Sequence, residues 1–182
     1  MPDVTTHTAA KARGAGASDH ADAKLALGRF VPYRLSVLSN IVSRAIARIY
    51  ADRFGLAIAD WRVMAVLGQD APLSARDVCT LTAMDKVRVS RAVGRLIARN
   101  LVERAISARD RRLSVLSLSP AGQAIYREVV PLALDAEAKL LDGLSSEEHR
   151  QLGRLLGKLR DRARALDDAE RHGHPYDDGS VD

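Results

Sequence analysis

The chain has 182 residues, 47% hydrophobic and 28% charged, enough for one compact domain and a composition that excludes global disorder. Aromatics are only 4%, the apolar residues are mainly Ala, Leu, Val and Ile, and there is one cysteine; this favours helices and excludes an intramolecular disulfide or a cysteine-pair zinc site. The net charge of +5 is unevenly spread: over residues 86–112 nine basic residues stand against two acidic ones, a local +7 that leaves −2 elsewhere, and this concentration points to a polyanion-binding surface.

Residues 1–25 carry scattered charges among small residues and no apolar signal segment, so the expectation is a disordered arm. No apolar run approaches the roughly 20 residues of a membrane span. A cytoplasmic location with no membrane partner is therefore expected.

From Arg34, apolar residues at Leu38, Ile41, Val42, Ala45, Ile46, Ile49 and Tyr50 predict a first helix that Gly55 ends. A second helix is expected over 60–68, with Trp61, Met64, Ala65 and Leu67 on one side, and a turn over 69–72. Ser74 and Asp77 form a capping box for a short helix over 75–81, and Asp85 is placed to cap the next helix, 86–99. In that helix Val89, Ala92, Val93, Leu96 and Ile97 gather on one face. Val87, Arg88, Arg91, Gly94 and Arg95 fall on the other. One side packs; the other presents arginines beside the small surface of a glycine.

The period then changes. Residues 101–106 and 113–118 read as two short strands joined by the basic loop Ser107-Ala108-Arg109-Asp110-Arg111-Arg112, a β-hairpin directly after an arginine-faced helix. Ser119 and Pro120 start a further helix to about Leu141, with a kink expected at Pro131. Ser145 and Glu148 cap a last helix whose stripe is Leu152, Leu155, Leu156, Leu159, Ala163 and Leu166. From Asp167 the pattern is lost, predicting a flexible tail over 168–182. Cys79 lies in an apolar-periodic helix and is expected to pack as a small core residue rather than act as a redox sensor. His172 and His174 read as solvated tail, and no nucleophile–base or metal constellation occurs at usable spacing. No cofactor, metal site or enzymatic activity is expected.

The run from Ser74 through Asp85-Lys86-Val87-Arg88-Val89-Ser90-Arg91 to Leu101-Val102-Glu103-Arg104 resembles the MarR family of bacterial transcription regulators. So does the hairpin loop Asp110-Arg111-Arg112 followed by Leu116-Ser117-Leu118-Ser119-Pro120-Ala121-Gly122. Two positions depart from the pattern: Ala83 stands where many members have Gly in the turn, and Asn100 where Gly ends the reading helix. Asn tolerates the left-handed conformation such a cap requires; Ala83 must either avoid positive φ or accept strain.

The resemblance implies a mainly α fold with a small β-hairpin wing, organised as a winged helix-turn-helix domain over 58–119 and a helical dimerisation region over 26–57 and 120–167. It implies a homodimer on palindromic double-stranded DNA, acting as a repressor released by a small aromatic ligand. Groove chemistry assigns Lys86, Val87, Arg88, Ser90 and Arg91 to the major groove and Arg95 to phosphate. By resemblance Arg112 enters the minor groove beside Arg111, and Asp110 positions it. Arg99 and Arg104 are expected as solvated charge. Ser39, Asn40 and Arg44 on the first helix, with Trp61 and Arg62 on the second, are the candidate ligand residues, although Trp61 also suits plain core. The family's thiol-based sensors carry their cysteine near the N-terminal helix, where this chain has none. The alternative to a sequence-specific regulator is a non-specific architectural nucleic-acid-binding protein.

Overall fold

A computed structural model describes residues 24–107 and 110–173. All but the last two residues of the expected N-terminal arm, Ala108 and Arg109 of the hairpin loop, and the tail from 174 lie outside the described residues. The elements run α1 (Val31–Phe54), α2 (Ile58–Asp70), β1 (Leu73–Ser74), α3 (Ala75–Thr82), α4 (Lys86–Ala98), β2 (Val102–Ile106), β3 (Ser114–Leu118), α5 (Pro120–Leu141) and α6 (Ser146–Gly173). No helix among the described residues is long and apolar enough to cross a membrane.

The chain divides into two compact units, the first ending at Val42 and the second starting at Ser43. In the first, the described residues form a turn at 27–29 and the N-terminal half of α1. Their apolar side chains, Phe30, Tyr33, Leu35 and Leu38 among them, are exposed.

The second unit holds the winged domain. α1 ends at Gly55, whose φ of +61° is left-handed, its N–H donating to the Ala51 carbonyl at 2.8 Å. α2 begins at Ile58, two residues before the expected start, and the Asp60 carboxylate accepts the Ala57 N–H at 3.0 Å in its first turn. Val63, Met64 and Leu67 of α2, Val78 of α3, and Val89, Ala92, Val93 and Leu96 of α4 pack with Leu101, Val102, Leu116, Val129 and Tyr50 into one core. Each buried Val or Leu contributes about 1.5–3 kcal/mol relative to an exposed one. Ile97, expected on the packed face of α4, is 38% exposed because it sits at the rim of that stripe.

The hairpin forms as expected, with Val102 opposite Leu118 and Ile106 opposite Ser114. The sheet has a third strand that the sequence did not announce: β1 pairs antiparallel with β3, Leu73 opposite Leu116, giving the order β1-β3-β2. Two residues carry no readable period. After β3, the buried Ser119 hydroxyl accepts the Gly122 N–H at 3.0 Å and donates to the Asn100 carbonyl at 2.6 Å. α5 thereby starts so close to β2 that a Cβ on Gly122 would overlap the Leu101 carbonyl oxygen. Pro131 lies inside α5 without ending it.

The Ser145–Glu148 box starts α6, with Glu148 Oε2 accepting the Ser145 N–H at 2.8 Å. α6 continues past Asp167 to Gly173, because losing an apolar stripe does not end a helix when the following residues are themselves tolerated in one. Its leucines are unspent: Leu155, Leu156 and Leu159 are each nearly half exposed and Leu166 more so, and among the described residues α6 has no extensive contact with any other element.

Candidate nucleic-acid interface

The α3–turn–α4 unit is fixed by local hydrogen bonds. Ser74 Oγ accepts the Asp77 N–H at 3.2 Å while Asp77 Oδ2 accepts the Ser74 N–H at 3.0 Å, the reciprocal box that starts α3. The Ser74 hydroxyl, donating to Asp77 Oδ2 at 2.7 Å, and then the Ser74 N–H hold the Asp77 carboxyl below its ordinary value. Thr82 Oγ1 donates back to the Val78 carbonyl at 2.6 Å in the last turn. Ala83 then adopts φ 51°, ψ 33°, so this turn accepts left-handed strain rather than avoiding it. Asn100 does the same at φ 55°, where its side chain is suited to the role. Asp85 Oδ1 accepts the Arg88 N–H at 2.8 Å and caps α4 as expected.

Burial of Val89, Ala92, Val93 and Leu96 turns the opposite side of α4 outward. Lys86, Val87, Arg88, Ser90 and Arg91 are all exposed there, and among the described residues Lys86, Arg88 and Arg91 make no ion pair. Arg111 and Arg112 are exposed at the hairpin tip. Asp110 acts on the backbone: its Oδ1 accepts the Arg112 N–H at 2.9 Å, and its carbonyl accepts the Leu113 N–H at 2.9 Å. Ser107 closes the loop, its N–H donating to the Leu113 carbonyl at 2.8 Å.

Two arginines of the basic run are occupied elsewhere. Arg95, expected on phosphate, donates through Nη2 to Asp60 Oδ1 at 2.6 Å and through Nε at 3.1 Å. Asp60 is 3% exposed, and a buried carboxylate of this kind needs a cation more than a solvated phosphate does. Arg99, expected as free charge, donates to the Phe54 carbonyl at 2.6 Å and the Gly55 carbonyl at 2.9 Å, capping the C-terminus of α1. The candidate face is therefore the N-terminal two-thirds of α4 with the wing. Asp60 was missed in the sequence; its only signal was an acidic residue in a helix first turn, and its partner lies 35 residues away. Arg104 is exposed as expected.

A groove of about 570 Å³ runs beside α4, with Arg76, Cys79, Met84, Lys86, Ser90 and Arg104 in its lining. Cys79 is half-buried there, packed against the core on its inner side.

The candidate ligand residues fall in both units. Ser39 and Asn40 are exposed on α1 in the first unit, and Arg44 is exposed in the second. Trp61 is half-buried, its ring 5.6 Å from Tyr50 and 6.0 Å from Tyr126, which is the core role rather than a free platform. Arg62 Nη2 donates to Ser43 Oγ at 3.2 Å. Burial pushes the Tyr50 phenol above its ordinary value, with Arg62 pulling it back and Asp60 adding to the rise.

A three-helix core carrying a helix-turn-helix and a β-hairpin defines a winged helix-turn-helix protein. The model of the MarR family matches residues 54–113. The chain is 28% identical over 93 residues to the HTH-type transcriptional regulator BilQ of Clostridium symbiosum (strain WAL-14163), covering 51% of this chain and 65% of that one. It spans about half, 52%, of a second curated relative. Among solved structures it is similar to a MarR/EmrR family transcriptional regulator from Acinetobacter sp. ADP1, with a TM-score of 0.73, 26% identity, and coverage of 78% of this chain and 99% of that one. It is also similar to BpsR of Bordetella bronchiseptica, whose DNA binding is regulated by 6-hydroxynicotinic acid, with a TM-score of 0.67, 27% identity, and coverage of 76% and 99%. The chain belongs to the MarR family of transcription regulators.

Proposed function

We propose that the protein is a homodimeric, sequence-specific reader of double-stranded DNA that represses transcription and is released by a small aromatic ligand. The observation that carries the DNA reading is the division of α4: four apolar residues lock one side into the core and leave Lys86, Val87, Arg88, Ser90 and Arg91 exposed on the other, with Lys86, Arg88 and Arg91 in no ion pair among the described residues. An α-helix fits the major groove, where arginine donates to guanine, serine bonds several base edges and a valine methyl can meet thymine. The wing supplies Arg111 and Arg112 for the minor groove, with Asp110 fixing the backbone beneath Arg112.

Dimerisation is supported by Leu155, Leu156, Leu159 and Leu166 of α6, which the described residues leave about half exposed or more. A two-fold protein reads inverted half-sites. For the ligand, the similarity to BpsR favours an aromatic carboxylate, and Arg62 or Arg44 is the cation to hold it. The helical dimerisation region is assigned to 26–57 and 120–167, and the reading domain to 58–119.

The test is selection of bound duplexes from a random-sequence library with the full chain. Enrichment of two inverted half-sites about 10 base pairs apart, centre to centre, is expected. Recovery of unenriched sequence would replace this function with non-specific architectural binding.

A further inference from the structure

Arg95 and Arg99 lie one turn apart at the C-terminal end of α4, and both reach the corner where α1 ends and α2 begins. Arg99 takes the two terminal carbonyls of α1, those of Phe54 and Gly55, at 2.6 and 2.9 Å. Arg95 takes the carboxylate of Asp60, which also holds the Ala57 N–H. The same corner is tied to α5, because Arg53 pairs with Glu128 at 2.6 Å. Trp61, next to Asp60, lies between Tyr50 of α1 and Tyr126 of α5. Four helices therefore meet at one polar corner, and Arg95 and Arg99 attach the C-terminal end of α4 to it.

We propose that Arg95 and Arg99 are positioning residues: they tether the reading helix to the α1–α2 corner, so the orientation of α4 and the environment of Trp61 are coupled. This rests on the proposal that α4 is presented to DNA. The coupling is physical and reciprocal. Two carbonyls at a helix C-terminus attract a cation, and a carboxylate buried to 3% exposure cannot release its arginine into an apolar setting without a replacement donor. Whatever fixes the exposed half of α4 must then load the corner, and a change at the corner must change what α4 binds. A solvated phosphate contact would behave differently, since its loss weakens binding to every sequence alike.

Trp61 is the only tryptophan, so its emission reads the corner directly. The experiment uses the full chain and a fluorescein-labelled duplex selected by the wild type from random sequence, with a random duplex as control. Binding is followed by anisotropy, Trp61 emission is followed with the same duplexes unlabelled, and circular dichroism confirms that Arg99→Gln, Arg99→Lys and Asp60→Asn are folded. The wild type should bind the selected duplex with a shift in Trp61 emission. Arg99→Gln should lose about tenfold in affinity for the selected duplex, the scale of lost charge-assisted hydrogen bonds, while the random duplex changes less than about twofold. At saturation its emission shift should be diminished, and Arg99→Lys should recover part of both. If Asp60→Asn does not fold, the two Arg99 variants carry the test. Equal losses on both duplexes would make Arg99 a phosphate contact and overturn the proposal, as would a folded Arg99→Gln with wild-type affinity and emission. A wild type that binds but leaves Trp61 unchanged also overturns the tether, whereas one that prefers no selected sequence overturns the functional proposal and the tether with it.

Discussion

Arg95→Ala should destabilise the protein more than Asp60→Ala, although both break the same ion pair. The two side chains differ in exposure, 4% for Asp60 and 49% for Arg95. Without Arg95 the carboxylate remains buried and, among the described residues, keeps the Ala57 N–H as its one donor. Breaking a buried pair this way costs about 3–5 kcal/mol when both partners are buried; access of water past the half-exposed arginine site brings the expectation to about 2–4 kcal/mol. Without Asp60 the guanidinium turns into solvent, and the loss is one charge-assisted link and a first-turn acid, about 1–2 kcal/mol. The double variant has no stranded charge and should lie near Asp60→Ala alone, so the coupling should match the Arg95→Ala cost, about 2–4 kcal/mol. Urea denaturation of the four proteins, followed by far-ultraviolet circular dichroism, measures this. Arg95→Ala no more destabilising than Asp60→Ala, or a coupling below about 0.5 kcal/mol, would refute the picture of a buried carboxylate that depends on its cation.

Ala83→Gly should raise stability by about 1 kcal/mol in the same assay, since glycine removes a left-handed penalty of about 1–2 kcal/mol at φ 51° and returns part of it as unfolded-state entropy. Arg91→Ala should cost about 1–3 kcal/mol on the preferred sequence and relax specificity. Arg112→Ala should instead weaken binding broadly and reduce the salt slope by about one unit, as measured by anisotropy at several salt concentrations. Leu155→Lys with Leu159→Lys should shift sedimentation from dimer to monomer and lower DNA affinity together, because both leucines lie on the uncovered stripe of α6. The Asp77 carboxyl is depressed by its bonds from Ser74, so the stability it contributes is present above the unfolded carboxylate range and lost as pH falls through the lower folded value. Melting temperature measured from about pH 6 down to about pH 3 should fall less steeply in Asp77→Asn than in the wild type.

Much of the winged domain was legible because its determinants are local. Capping by Ser74, Asp85, Ser119 and Ser145 is written within three residues, and the packed face of α4 follows from a period of 3.6. Ile97 was misassigned because periodicity gives the centre of a stripe more sharply than its rim. β1 was invisible because its two residues become a strand only through pairing with β3 across about forty residues. The partners of Arg95 and Arg99 were invisible for the same reason: a local count of charge cannot tell a cation facing solvent from one whose partner, Asp60 or the end of α1, lies far away in the chain. The basic run is thus a mixture of an outward-facing set and a tether. Asp110 illustrates a finer distinction, since the sequence placed it beside Arg112 but not on the backbone N–H it accepts from.

The central claim is that the outward half of α4, with the wing, reads base sequence. The most direct measurement is the ratio of affinities for the selected duplex and a random duplex at about 0.15 M salt, with the number of protomers per duplex determined by sedimentation. Two protomers per selected duplex and a preference of at least about 10³ are expected, the range of specific readers. Comparable affinity for both duplexes would contradict the account and leave a protein that recognises phosphate alone.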